Sequence, residues 1–190
     1  MVFSMPVWRS NRRALVATAA LLVAASAIRA DFKVTELQTR LHDGVLVVSG
    51  SMQLELSRKV EEALSKGIEL PVLIETRLYR KRALLWDETI EAWTVRRNLG
   101  YHALSGQYIV NAGTGTDSFL SPADALRHLG TLTELRLRLP EVDMAQGDEY
   151  VVKLRARIDI EALPAPLRPV AYTTLSWHMN TGWTTWNVQR

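Results

Sequence analysis

A chain of 190 residues, 47% apolar and 23% charged, has the balance of one globular domain, which excludes the disordered and fibrous classes. Its +3 net charge does not make it a nucleic-acid binder. Arg9, Arg12, Arg13 and Arg29 stand in a first 30 residues that hold no acid, leaving 19 Lys plus Arg against 20 Asp plus Glu beyond, so the body carries 19 − 20 = −1.

The basic, acid-free start has the form of a secretory leader. Arg9, Arg12 and Arg13 precede an apolar run over residues 14–25 (ALVATAALLVAA), and small residues follow at Ala25, Ser26, Ala27 and Ala30. Extended to Ile28 the run is 15 residues, short of the roughly 20 that a helix needs to cross a bilayer. Residues 1–30 are therefore read as a signal peptide, with retention as an inner-membrane anchor through residues 14–28 left open. Residues 31–190 are read as a single domain, placed in the periplasm or facing it from the membrane. The chain has no cysteine, so this exported body must stand on its core without a disulfide.

Beyond the leader the periodicity is that of strands. Asp43-Gly44 between apolar runs predicts a hairpin, with Leu46, Val48, Met52, Leu54 and Leu56 on its core face. Ser57 predicts the cap of a short helix, RKVEEALSK, that stops at Gly67. Residues 70–101 read as two long strands folded back at Ala83. In the first, Val72, Ile74 and Leu78 alternate with Glu75, Arg77, Tyr79 and Lys81. In the second, Trp86, Ile90 and Ala92 share one parity but Trp93 and Val95 the other, which predicts a bulge near Ala92.

Residues 101–104 and QYIVNA extend the sheet, and residues 113–117 read as a loop. Ser121-Pro122-Ala123-Asp124 starts a second helix, with Ala125, Leu126 and Leu129 inward and Gly130 as its stop. Leu135, Leu137 and Leu139 then alternate with Glu134, Arg136 and Arg138. EYVVKLRARIDIE follows, with Lys153, Arg155, Arg157 and Asp159 outward. LPAPLRP reads as a connector whose prolines forbid helix and central strand, and YTTLSWHM and GWTTWNV as a last hairpin about Asn180-Thr181-Gly182. The fold class expected is mainly β: an antiparallel two-layer sandwich with two short α-helices, preceded by the signal or anchor helix.

No catalytic pattern stands out. His42, His102, His128 and His178 are scattered without metal-ligand spacing, no Gly-x-Ser-x-Gly occurs, and Gly113-Thr114-Gly115-Thr116 lacks the Lys-Ser/Thr ending of a phosphate loop. Acids gather at Asp87, Glu88 and Glu91, and at Glu141, Asp143, Asp148 and Glu149, with nothing in the sequence to make either group converge. The densest basic feature is Arg77, Arg80, Lys81 and Arg82 with Arg96 and Arg97. It can serve anionic headgroups or pair across strands with Glu75, Asp87, Glu88 and Glu91. The six tryptophans fit core closure better than a surface platform.

Glu62-Ala63-Leu64-Ser65-Lys66-Gly67-Ile68-Glu69-Leu70-Pro71, the 80–86 run, Leu99-Gly100-Tyr101-His102-Ala103-Leu104 with Gln107-Tyr108, the 123–130 helix, and Leu163-Pro164-Ala165-Pro166-Leu167-Arg168 stand in this order. Together they resemble the domain-of-unknown-function 4390 family of exported proteobacterial proteins. The resemblance implies a small envelope protein without assigned activity, and supplies no catalytic residues.

The sequence is thus read as an uncharacterised envelope protein, non-catalytic, binding a protein partner through an exposed sheet face or edge. Arg80, Arg82, Trp86, Arg97 and Tyr101 are the candidate binding residues. No cofactor, metal or nucleic acid is expected. Two alternatives stay open: a module that binds lipid or a lipid surface, and an envelope hydrolase using Asp87, Glu88 or Glu91 with a histidine.

Overall fold

Strands β1 (Phe32–His42) and β2 (Val45–Leu54) are joined by Asp43 and Gly44, whose φ values of 48° and 69° make the left-handed two-residue turn that suits the twist of a hairpin. The computed structural model describes residues 31–82, 85–113, 115–140 and 148–189. The expected leader, the expected fold-back at Ala83 and the acids Glu141 and Asp143 lie outside the described residues.

Helix α1 (Arg58–Ser65) begins where the sequence places it. The Ser57 hydroxyl accepts from the Val60 amide at 3.4 Å and donates to the Ser176 carbonyl at 2.8 Å, so the cap also ties the helix to the C-terminal region. Strand β3 (Leu70–Arg80) follows, then β4 (Glu88–His102), β5 (Gln107–Asn111), β6 (Thr116–Phe119), helix α2 (Pro122–Gly130), β7 (Thr131–Arg138) and β8 (Tyr150–Ile158). Helix α3 (Arg168–Thr173), short 3-10 turns and strand β9 (Thr184–Asn187) complete the chain.

The strands form two antiparallel sheets, one ordered β1-β2-β7 and the other β6-β5-β4-β3-β8-β9. Mainly β with few short helices is the expected class. The inner face of β3 (Val72, Ile74, Thr76, Leu78) meets that of β8 (Val152, Leu154, Ala156, Ile158), and both pack on Leu46, Val48, Met52 and Leu54 of β2. Each large apolar side chain so buried contributes about 1.5–3 kcal/mol, which is how the fold dispenses with disulfides. Six strands are wider than three, so the inner surface left over near β4, β5 and β6 is covered by α2.

The two glycines at this seam are there for space rather than for a left-handed turn. A Cβ on Gly130 would collide with the Met52 carbonyl, and one on Gly50 with the Glu36 carbonyl. Gly130 ends α2 as the sequence places it, and its missing Cβ also lets the helix end lie on β2.

The bulge expected near Ala92 is present in β4, at Ile90, since Leu78 pairs with Glu91 and Tyr79 with Thr89. Three other expectations are corrected. The loop expected over residues 113–117 gives way at Thr116 to the short strand β6, paired with β5. The final hairpin is half absent: YTTLSWHM forms the end of α3 and a 3-10 turn, and only the second run becomes a strand, β9, paired with β8. Pro169 sits in the first turn of α3, where no amide hydrogen is required, so it starts the helix it was expected to forbid.

Both open sides of the sandwich are closed by hydrogen bonds. On one, the Leu41 amide donates to the Gln189 carbonyl at 3.0 Å and the Gln189 amide to the Thr39 carbonyl at 2.9 Å, linking β1 to the chain after β9. On the other, the Trp93 indole of β4 donates to the Arg138 carbonyl of β7 at 3.1 Å.

Candidate binding face

Three of the five candidate residues, Arg80, Arg82 and Trp86, lie at the tip of the β3–β4 hairpin. There Arg80 donates to Glu88 from Nε at 2.9 Å and Nη2 at 2.5 Å, and to Asp148 from Nη1 at 3.2 Å, while Arg82 reaches the same Glu88 at 2.6 Å. Lys81 faces Glu149 at 3.5 Å. Among the described residues the tip sets Arg80, Lys81 and Arg82 against Asp87, Glu88, Asp148 and Glu149, or 3 − 4 = −1. Its cations are spent internally, and cross-strand pairing describes them better than a surface for anions. Trp86, 90% exposed, stands beside them without support from the core.

Arg97 and Tyr101 lie elsewhere. Arg97 pairs with Val72 and Arg80 with Glu88, so the two sites stand roughly 27 Å apart along β3 at about 3.4 Å per residue. Arg97 is also on the inner face. Only 8% exposed, it donates from Nη1 to the Leu129 carbonyl at 2.8 Å and the Thr131 carbonyl at 2.6 Å, closing the C-terminal end of α2. Burial lowers its pKa, and the negative end of the helix supplies the compensating field. Arg97 is thus a structural clamp and not part of an exposed face. Tyr101 shares its parity and packs against Tyr108 with ring centroids 4.9 Å apart, beside the core.

The concentration of unspent positive charge is on the outer face of the larger sheet. The pairing of β4, β3 and β8 places Ala92, Arg77 and Lys153 in one row, then Thr94, Glu75 and Arg155, then Arg96, Leu73 and Arg157. At about 4.8 Å between strands and 7 Å between rows this is a patch roughly 14 Å by 10 Å. Adding Asp159 at its end, five cations meet two acids, or 5 − 2 = +3.

The cations are held stiffly. Trp183 lies beneath the guanidiniums of Arg77 and Arg155, 4.5 and 4.6 Å from its ring, and the Lys153 ammonium stands 4.6 Å from the Tyr79 ring. Arg155 donates to Glu75 from Nη2 at 2.6 Å and Nε at 2.8 Å, and Arg157 from Nε at 3.1 Å. Burial alone would raise the Glu75 pKa, but the bonds from Arg155 and then Arg157 outweigh it, and the carboxyl is held below its ordinary value. Arg77 and Lys153 have no ion pair among the described residues. On the β4 flank, Ala92 and Thr94 are exposed and small, leaving a level shelf beside Arg77 and Arg96. The alternating Lys153, Arg155 and Arg157 were visible in the sequence. What was not visible was that β3, with Arg77, runs beside them.

Among the described residues the acids and histidines form no comparable assembly. Hydrogen bonds from Arg80 and Arg82 lower the Glu88 pKa, the opposite direction from a general acid. His42 meets Asp43 at 3.1 Å and His102 meets the Ser105 hydroxyl at 2.9 Å, both exposed, and the half-buried His128 meets Asp117 at 3.0 Å. No three potential ligands converge on a metal position among the described residues. Among those residues, too, no helix is long and apolar enough to cross a membrane.

Residues 29–187 match the family model described as domain of unknown function (DUF4390). The chain belongs to this family. No curated protein and no solved structure matches it. The DUF4390 match takes in both sheets and the whole charged outer face, and it begins at Arg29, the last cation of the acid-free first 30 residues.

Proposed function

We propose that this DUF4390 protein is a non-catalytic binding module of the cell envelope, which holds an acidic protein segment on the outer face of its six-stranded sheet. The observation that carries the reading is the patch of Arg77, Arg96, Lys153, Arg155 and Arg157 stiffened by Trp183 and Glu75. Guanidiniums already stacked and bonded lose little freedom on meeting a carboxylate, and their forked donors match its two oxygens. The envelope location rests on the leader of Arg9, Arg12 and Arg13 followed by residues 14–28, and on a fold that needs no thiol.

A face with no exposed large apolar side chain favours an extended peptide over a membrane. The exposed large apolar residues, Leu85, Trp86, Leu104, Leu120, Val170, Tyr172 and Leu175, all lie off this face, so it has nothing to insert between lipid tails. The test is titration of the full chain with poly-L-glutamate, and with phosphatidylglycerol vesicles, at two ionic strengths. Saturable, salt-sensitive binding to the polypeptide that is lost in Arg77→Glu, Arg157→Glu is expected. Equal binding by that variant, or binding to vesicles alone, contradicts the reading.

A further inference from the structure

At the end of this face, where α1 gives way to β3, lies an open cavity of about 570 Å³ whose wall includes Glu69, Arg96, Asn98, Leu163 and Arg168. Its size is that of a small-molecule site. Two guanidiniums enter the wall, each fixed by one bond. Arg96 spends Nη2 on the buried carboxylate of Asp159 at 2.7 Å, and Arg168 spends Nε on the Leu163 carbonyl at 2.8 Å. Among the described residues neither has another partner, so each keeps further N–H donors in a set orientation.

The rest of the wall has the opposite sense. Glu69 is exposed and has no ion pair among the described residues, and the Asn98 Oδ1 is buried with no hydrogen-bond partner among them. A doubly charged phosphate suits the arginines but is repelled by Glu69. A ligand bearing a carboxylate and an ammonium group satisfies both sides.

We propose that this cavity binds a small zwitterion, a free amino acid or short peptide, with its carboxylate on Arg96 and Arg168 and its ammonium on Glu69. The site shares Arg96 with the patch described above, but Arg168, Asn98 and Glu69 take no part in that patch, so their variants test the cavity alone.

The experiment is an NMR titration of the isotope-labelled full chain with L-alanine, glycylglycine, acetate and inorganic phosphate. L-Alanine or glycylglycine is expected to give saturable shifts confined to the amides around residues 67–71, 96–100 and 162–168, with the responding probe separating amino acid from peptide. Arg168→Gln, a change at an exposed side chain, should weaken that binding tenfold or more. Glu69→Gln should erase the preference for the zwitterion over acetate, and Arg77→Glu should leave both intact. No saturable shift, unchanged affinity in Arg168→Gln, or a response to acetate or phosphate as strong as to the zwitterions overturns the proposal.

Discussion

The hairpin tip and the outer sheet face are built from the same residue types, yet they do opposite things with them. At the tip, Arg80 and Arg82 converge on one carboxylate, Glu88, and Asp148 and Glu149 absorb what remains. On the face, a single carboxylate, Glu75, holds Arg155 and Arg157 side by side while Arg77 and Lys153 rest on aromatic rings without an acid. A dense run of cations in the sequence therefore marked the region with less positive charge to offer. The spaced cations of two strands distant in the chain made the more positive one.

Changes at Arg97 give the largest effect and set the scale for both regions. Arg97→Ala leaves the carbonyls of Leu129 and Thr131 without their donor, and urea denaturation should register a loss of about 2–4 kcal/mol, as expected for unsatisfied buried groups. On the face, reversing Arg77 and Arg157 to Glu should weaken binding of poly-L-glutamate about a hundredfold, from the charge-assisted bonds lost. The matching reversal of Lys81 and Arg82 at the tip should change it by no more than about twofold, since exposed pairs contribute little. A larger loss at the tip would invert the comparison.

Glu75→Gln sharpens it from the other side. Freed of Glu75, one of its two acids, the face should bind poly-L-glutamate a few-fold more tightly, at the expense of the order imposed on Arg155 and Arg157. The same variant has a signature in pH. Because the folded-state pKa of Glu75 lies below its ordinary value, its stabilising contribution is complete above the unfolded value and is lost as pH falls through the lowered one. Wild-type stability should therefore decline more steeply on acidification below the ordinary carboxylate range than that of Glu75→Gln. The smallest effect belongs to Arg82→Ala, which should shift stability by less than about 0.5 kcal/mol because its pair with Glu88 is solvent-accessible and Glu88 keeps Arg80.

Much of the architecture was legible because local chemistry and tertiary packing agree. Asp43-Gly44, the Ser57 cap and the alternation of β3 and β8 each appear where their residues direct. The failures have physical causes. The β-branched and aromatic residues of YTTLSWHM favour a strand locally, but Pro169 two residues before Ala171 begins a helix whose Ala171 and following Trp177 are buried. Asp159 alternates outward, yet the chain turning into its 3-10 segment buries it against the exposed Arg96.

The site was only half readable. Once a bulge puts Trp93 and Val95 inward, the same parity carries Arg97 and Tyr101 inward too, so the fate of those two candidates was implicit in the predicted kink. The outer face was not implicit, because it depends on Glu75 meeting Arg155 from 80 positions away, and no local pattern encodes which strands become neighbours.

The central claim, that the partner rests on the sheet face and not on the hairpin tip, is tested most directly by photo-crosslinking in living cells from residues chosen to spare the fold. A crosslinking amino acid at exposed Thr94, on the shelf beside Arg77 and Arg96, should give a discrete adduct to an acidic protein, and that adduct should vanish with Arg77→Glu, Arg157→Glu. The same amino acid at Trp86 should give none. Adducts from position 86 with none from position 94 would contradict the account.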